Sequence, residues 1–224
     1  MAKDYSEDQL IQCSAAELLE KELGWTSVYA FDKEVLGVNG TLGRTSYHEV
    51  LLTEYFRKAL KTLNPWLTDK QLQECVERMT EHMSSQTLMQ INEQKYQYIK
   101  DGVPVTRIKP NGETEEVRAK VIDFASPEKN DFLCVREMWV YGALYHRRAD
   151  IVGFVNGIPL LFMELKNHDV EVVDAFNKNY RDYLDTIPQL FYHNAFVMFS
   201  NGLEARVGTI DSKWEFFHEW KRLT

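Results

Sequence analysis

Long apolar runs are missing from this chain. No segment approaches the length needed to cross a bilayer, and the N-terminus MAKDYSEDQL has no apolar signal core, so membrane insertion and secretion are not expected. Cysteine is scarce. Cys13, Cys75 and Cys134 are odd in number, far apart and without a C-x-x-C pair, which argues against a disulfide framework or a zinc knuckle and fits a cytoplasmic protein. Positive charge is in deficit as well: 26 Lys and Arg stand against 34 Asp and Glu, a net −8. That balance speaks against a chain that grips nucleic acid unaided, because phosphate binding is dominated by Lys and Arg. A G-x-x-x-x-G-K-[ST] phosphate loop is absent, and no Gly is followed by Lys, so no nucleotide-driven motor of that type is encoded here. Repeats and low-complexity tracts are lacking too, leaving 224 residues able to bury a substantial core without staples.

What is present is an α/β pattern. Ser6-Glu7-Asp8-Gln9 reads as the capping box of an amphipathic helix, with Leu10, Cys13, Leu18 and Leu19 as its apolar positions and Gly24 as its stop. Residues 47–63 are helical in pattern until Asn64-Pro65 breaks them, and Thr68 with Gln71 caps another helix to about Thr80. The segments KYQYI, VPVTRI and AKVIDFA read as strands separated by turns at Asp101-Gly102 and Asn111-Gly112. FLCVREMWVYG, DIVGFV and IPLLFMELK continue the sheet, the last two joined at Asn156-Gly157. Residues 151–155 and 158–163 are apolar on both faces, so these strands are central and covered on both sides. A helix follows from Asp169 through Ala175, Phe176, Asn179 and Tyr183 to Ile187-Pro188, then NAFVMFSNG and ARVGTI as strands. SKWEFFHEWKRL reads as a closing helix with Trp214, Phe217 and Trp220 packed down. Trp139, Met163 and Met198 read as core.

The polar residues on the central strands carry the chemistry. A carboxylate at the end of a doubly covered strand is costly unless a cation compensates it. Asp150 opens one strand, and Glu164 and Lys166 close the next, on one face by alternation. Register sets a condition. A strict two-residue hairpin at Asn156-Gly157 would set Ala149 against Glu164 and turn Asp150 away, so a bulge, or a three-residue turn with Gly157 left-handed, is required. With that irregularity, Asp150, Glu164 and the backbone carbonyl of Leu165 form an oxygen set for Mg²⁺, and Lys166 orients the attacking water and offsets charge on a phosphate. Arg147 and Arg148 precede the site and offer phosphate contacts, though only one of them can face it, and Arg148 is the candidate. His146 reads as structural.

The arrangement D-I-V-x-F-V-N-G-I-P-L-x-x-x-E-L-K-N resembles the nuclease domain of the R (restriction) subunit of type I restriction-modification enzymes, a branch of the PD-(D/E)xK nuclease superfamily. The likeness extends to Gly24-Trp25, Leu63-Asn64-Pro65, Asp101-Gly102-Val103, Ile187-Pro188, Ser200-Asn201-Gly202 and Trp214-Glu215 with Trp220-Lys221. It implies an α/β, restriction-endonuclease-like fold: a mixed central sheet flanked by helices, as a single nuclease domain over 1–224 with a catalytic core at about 95–210 and an inserted helical lobe at about 45–92. It also implies Mg²⁺-dependent cleavage of double-stranded DNA, with Asp150, Glu164 and Lys166 catalytic. Modification and specificity subunits are the implied partners, and the chain would be the N-terminal fragment of a longer motor-containing polypeptide. ATP is implied only for that motor. Ala149 stands where the family has Pro, and Asn179 with Tyr183 where it has Q-x-x-x-Y, which makes these two accessory site residues; Glu7 matches the family's N-terminal acidic position. Two other readings compete: a repair or junction-type nuclease without a motor, and a non-catalytic docking module with a nuclease-like fold.

Overall fold

The computed structural model describes residues 7–82 and 84–220, with side chains from Gln12 onward. The capping residue Ser6 and the side chains of Glu7 and Leu10 therefore lie outside the described residues. Helix α1 (Glu7–Leu23) and strand β1 (Thr26–Tyr29) lead into α2 (Thr53–Leu63), α3 (Asp69–Thr80) and α4 (Leu88–Asp101). A hairpin follows, β2 (Val103–Ile108) and β3 (Thr114–Ala119), then the meander β4 (Phe132–Tyr141), β5 (His146–Val155) and β6 (Ile158–Leu165). A helical run then passes through α5 (Val172–Asp174), π-helical turns at Ala175–Tyr180, and α6 (Arg181–Thr186), before β7 (Phe196–Ser200), β8 (Ala205–Gly208) and β9 (His218–Glu219).

Among the described residues seven strands form one mixed sheet, β1-β4-β5-β6-β7-β8-β9, parallel at β1·β4 and β6·β7 and antiparallel elsewhere. Helices cover both faces of its centre. Phe162 and Phe199 pack against Tyr180 of the helical run, while Ile151, Met163 and Leu165 pack against Ala16 of α1. The sheet is covered on both sides, as the apolar strands led one to expect, and mixed, as the resemblance implied. No described helix is long and apolar enough to cross a membrane.

The β5–β6 hairpin meets the register condition in a specific way. Its turn is the two-residue kind, with Asn156 at φ 53 and Gly157 at φ 79, so Val155 pairs Ile158 and Phe154 pairs Pro159. Beyond the turn the register shifts between Gly153 and Phe154, and Gly153 pairs Leu161, leaving Leu160 as the extra residue of a bulge. Pro159 has no N–H to give to a ladder, which suits it to a bulge, and Gly153 sits where an added Cβ would lie 3.0 Å from both Leu161 and Trp25. Ile151 then pairs Met163, and one further step brings Asp150 level with Glu164.

Four expectations need correction. KYQYI is helical, inside α4: Ile91, Lys95 and Ile99 are buried at four-residue spacing, and Thr87 with Gln90 forms a capping box. AKVIDFA is not a strand; β3 ends at Ala119, and the following loop is tied by Asn64 and Asn130 side chains to backbone groups of Lys120 and Asp123. The second helix begins at Thr53 rather than Tyr47, because 47–52 is bonded as loop, Tyr47 O accepting from Tyr141 N and Leu52 N donating to Gly157 O. Among the described residues the last segment is not a helix. Trp214–Phe216 is a single 3-10 turn and His218–Glu219 adds an edge strand, so Phe217 is buried and Trp214 packs on Phe199, but Trp220 is exposed.

Candidate active site

Asp150 and Glu164 open into one cavity of about 600 Å³ between α1, the end of β1, the β4–β5 hairpin and α6. Leu165, Lys166, Asn179, Tyr183 and Arg148 line it too, so every candidate site residue with a described side chain is brought together. Glu7 falls in the first turn of α1, and its side chain lies outside the described residues.

Asp150 is held at both oxygens. Its Oδ1 accepts from Gln12 Nε2 at 3.0 Å, and its Oδ2 accepts from the Leu165 amide at 2.8 Å. That amide points toward β5, and a strand residue's carbonyl points to the same edge as its N–H, which leaves the Leu165 carbonyl on the Asp150 side. Lys166 turns its own amide the other way, to Ser200 O at 2.8 Å. Glu164 is 2% exposed; its Oε1 accepts from Lys166 Nζ at 2.8 Å, while its buried Oε2 has no hydrogen-bond partner. Burial pushes the Glu164 carboxyl well above the usual carboxylate range and the neighbouring Asp150 charge pushes it further, with Lys166 opposing. Burial raises Asp150 too, against the Leu165 amide and Lys166. Two carboxyls resisting ionisation side by side, one with an orphaned oxygen, are the electrostatic complement of a cation.

The cavity wall holds residues that spacing did not reveal. Gln12 reaches Asp150 from α1, a contact across 138 residues that no local pattern encodes. Glu137, buried in β4, pairs with Arg148, whose guanidinium lies over the Phe31 and Trp139 rings. Trp139 is thus a cavity residue as well as packing, and His146 also lines the site. Arg147 and Arg148 both reach the cavity but diverge: Arg147 pairs with Asp182 of α6, and Arg148 with Glu137 of β4. The Tyr183 hydroxyl donates to Arg148 O at 2.9 Å, and Asn179 projects from the π-helical turns, a distortion common at functional sites.

The family described as Type I restriction enzyme R protein N terminus matches residues 4–216. The chain belongs to that family. Within it, the chain is similar to the HindI endonuclease subunit of Haemophilus influenzae, 30% identical over 205 residues, covering 90% of this chain and 19% of that one. It is similar to the putative MjaIXP endonuclease subunit of Methanocaldococcus jannaschii, 31% identical over 225 residues, covering 98% of this chain and 21% of the other. The SauMSSORF170P endonuclease subunit of Staphylococcus aureus is 26% identical over 194 residues. The chain spans about a fifth of the length of these type I restriction enzyme subunits. As a type I R-protein N terminus it carries the mixed, helix-flanked sheet of the restriction-endonuclease-like fold, with the cavity at the end of the β5–β6 pair.

Proposed function

We propose that this R-protein N terminus is the DNA-cleaving module of a type I restriction enzyme, hydrolysing phosphodiesters of double-stranded DNA with Mg²⁺. The observation that carries the reading is the buried, unpartnered Glu164 Oε2 set beside Asp150 and Lys166 in an open cavity. A hard divalent cation takes oxygen donors, and Asp150, Glu164 and the Leu165 carbonyl supply that chemistry. Among the described residues no three His, Cys, Asp or Glu side chains converge as a metal cluster, so backbone, water and a phosphate oxygen would complete the shell. When bound, Mg²⁺ would act as a Lewis acid on the phosphoryl oxygen and lower the pKa of its water.

The chain's own groups do the rest. Gln12 and the Leu165 amide fix the Asp150 carboxylate in one orientation, which pre-organises it. Glu164 holds Lys166 Nζ at the cavity, where the ammonium can orient an attacking water and offset the negative charge that grows on the phosphate. Arg148 and Asn179 face the space a DNA strand would enter. DNA delivery, and any ATP-driven movement along it, would belong to the rest of a longer subunit and to modification and specificity subunits. Cleavage by the assembled enzyme tests this: Asp150→Ala should abolish both divalent-ion binding and cutting, and normal cutting by that variant would refute the proposal.

A further inference from the structure

Glu137 occupies a conformation its neighbours do not require. Among the described non-Gly residues only Glu137 and Asn156 have positive φ, and Asn156 is explained by its turn. Glu137, at φ 56, sits in the middle of β4 between the pairs Arg136–Ile151 and Met138–Ala149, level with Asp150, and the ladder skips it. A side chain with a Cβ is disfavoured there, and such strain collects where function over-determines a residue. Glu137 is 4% exposed, and its Oε2 lies 2.5 Å from Arg148 Nε.

Arg148 is the beneficiary. Its guanidinium lies 4.7 Å from the Phe31 ring centroid and 5.8 Å from that of Trp139, and Trp139 Nε1 donates to Phe31 O, closing the two rings around it. The Tyr183 hydroxyl anchors the Arg148 carbonyl. A carboxylate engages at most two of the five guanidinium N–H groups, and the side chain remains 38% exposed in the cavity that holds Asp150 and Lys166. A planar cation fixed on one edge and across its faces, with its other edge turned to an open site, fits a tetrahedral phosphate.

We propose that Glu137 is the positioning residue that holds Arg148 as a phosphate contact for the DNA strand being cut. The inference rests on the nuclease reading above. Glu137→Gly is the informative variant, because Gly takes this φ without strain, which offsets part of the stability lost with the ion pair and keeps the chain folded. In the assembled enzyme it should raise the DNA concentration for half-maximal cleavage by about tenfold or more, while the maximal rate stays within about threefold. Glu137→Gln keeps an oxygen to accept from Nε and should recover part of the loss, and adding Arg148→Ala to Glu137→Gly should weaken DNA binding no further. A half-saturating DNA concentration unchanged in Glu137→Gly, or a loss confined to melting temperature and maximal rate, would overturn the inference. Normal cutting by Asp150→Ala would instead sink the nuclease reading beneath it, so the two failures are distinct.

Discussion

Glu164 is held at 2% exposure with one oxygen unbonded, beside a second carboxylate that is itself raised by burial. In the metal-free chain this is a stability cost that depends on pH. The ordinary values of 3.8 and 4.5 for Asp150 and Glu164 are raised on folding, so above them the folded chain keeps protons that the unfolded chain has released. Their contribution is therefore fully present below the unfolded values and is lost as pH rises through the folded ones. Glu164→Gln should flatten the fall in metal-free stability between about pH 5 and 8 and stabilise the chain at the upper end by on the order of 1 kcal/mol. Urea unfolding across that range is the measurement, and parallel pH profiles for wild type and variant would contradict the account. The Glu164–Lys166 pair was legible in the sequence because strand alternation sets both on one face, whereas Asp150 joins them only through the bulge. Gln12 and Glu137 were not, since one acts across the fold and the other through a backbone angle that no residue pattern announces.

At the level of elements, the β5–β6 hairpin decides whether there is a site at all. Asn156-Gly157 named the turn, and register called for a bulge or a longer turn at Gly157, but no residue pattern placed the shift at Leu160 rather than in the loop. Asn156 does more than turn the chain. It is 1% exposed, its Nδ2 donates to Val121 O and Asn130 Oδ1, and its Oδ1 accepts from Asp131 N, each at 2.8 Å. Asn156→Ala should lose about 3 kcal/mol, from three hydrogen bonds, two of them buried, and a left-handed backbone that Asn tolerates better than Ala; a loss below about 1 kcal/mol in denaturant unfolding would show the turn is held by other contacts. The misread elements share a cause. In KYQYI, alternation over five residues also fits the four-residue spacing of Ile91, Lys95 and Ile99, and in the last segment three aromatics at helical spacing were placed by tertiary packing and an edge-strand pairing instead.

For the whole molecule, the acidic balance and the DNA-cleaving reading have to be reconciled. A net −8 gives the chain little attraction for a polyanion, and each cation at the cavity shares its charge with a carboxylate: Arg147 with Asp182, Arg148 with Glu137 and Lys166 with Glu164. Under the proposed reading such a module would work when DNA is brought to it, which fits a family whose named members are subunits about five times as long. Inactivity of the isolated chain is thus expected. The decisive measurement is the cleavage rate of the assembled restriction enzyme carrying Lys166→Ala, taken together with its divalent-ion affinity. The account predicts that Asp150 and Glu164 still bind the ion while cutting falls by about 10²–10³-fold or more; DNA cut at the wild-type rate by Lys166→Ala would contradict it.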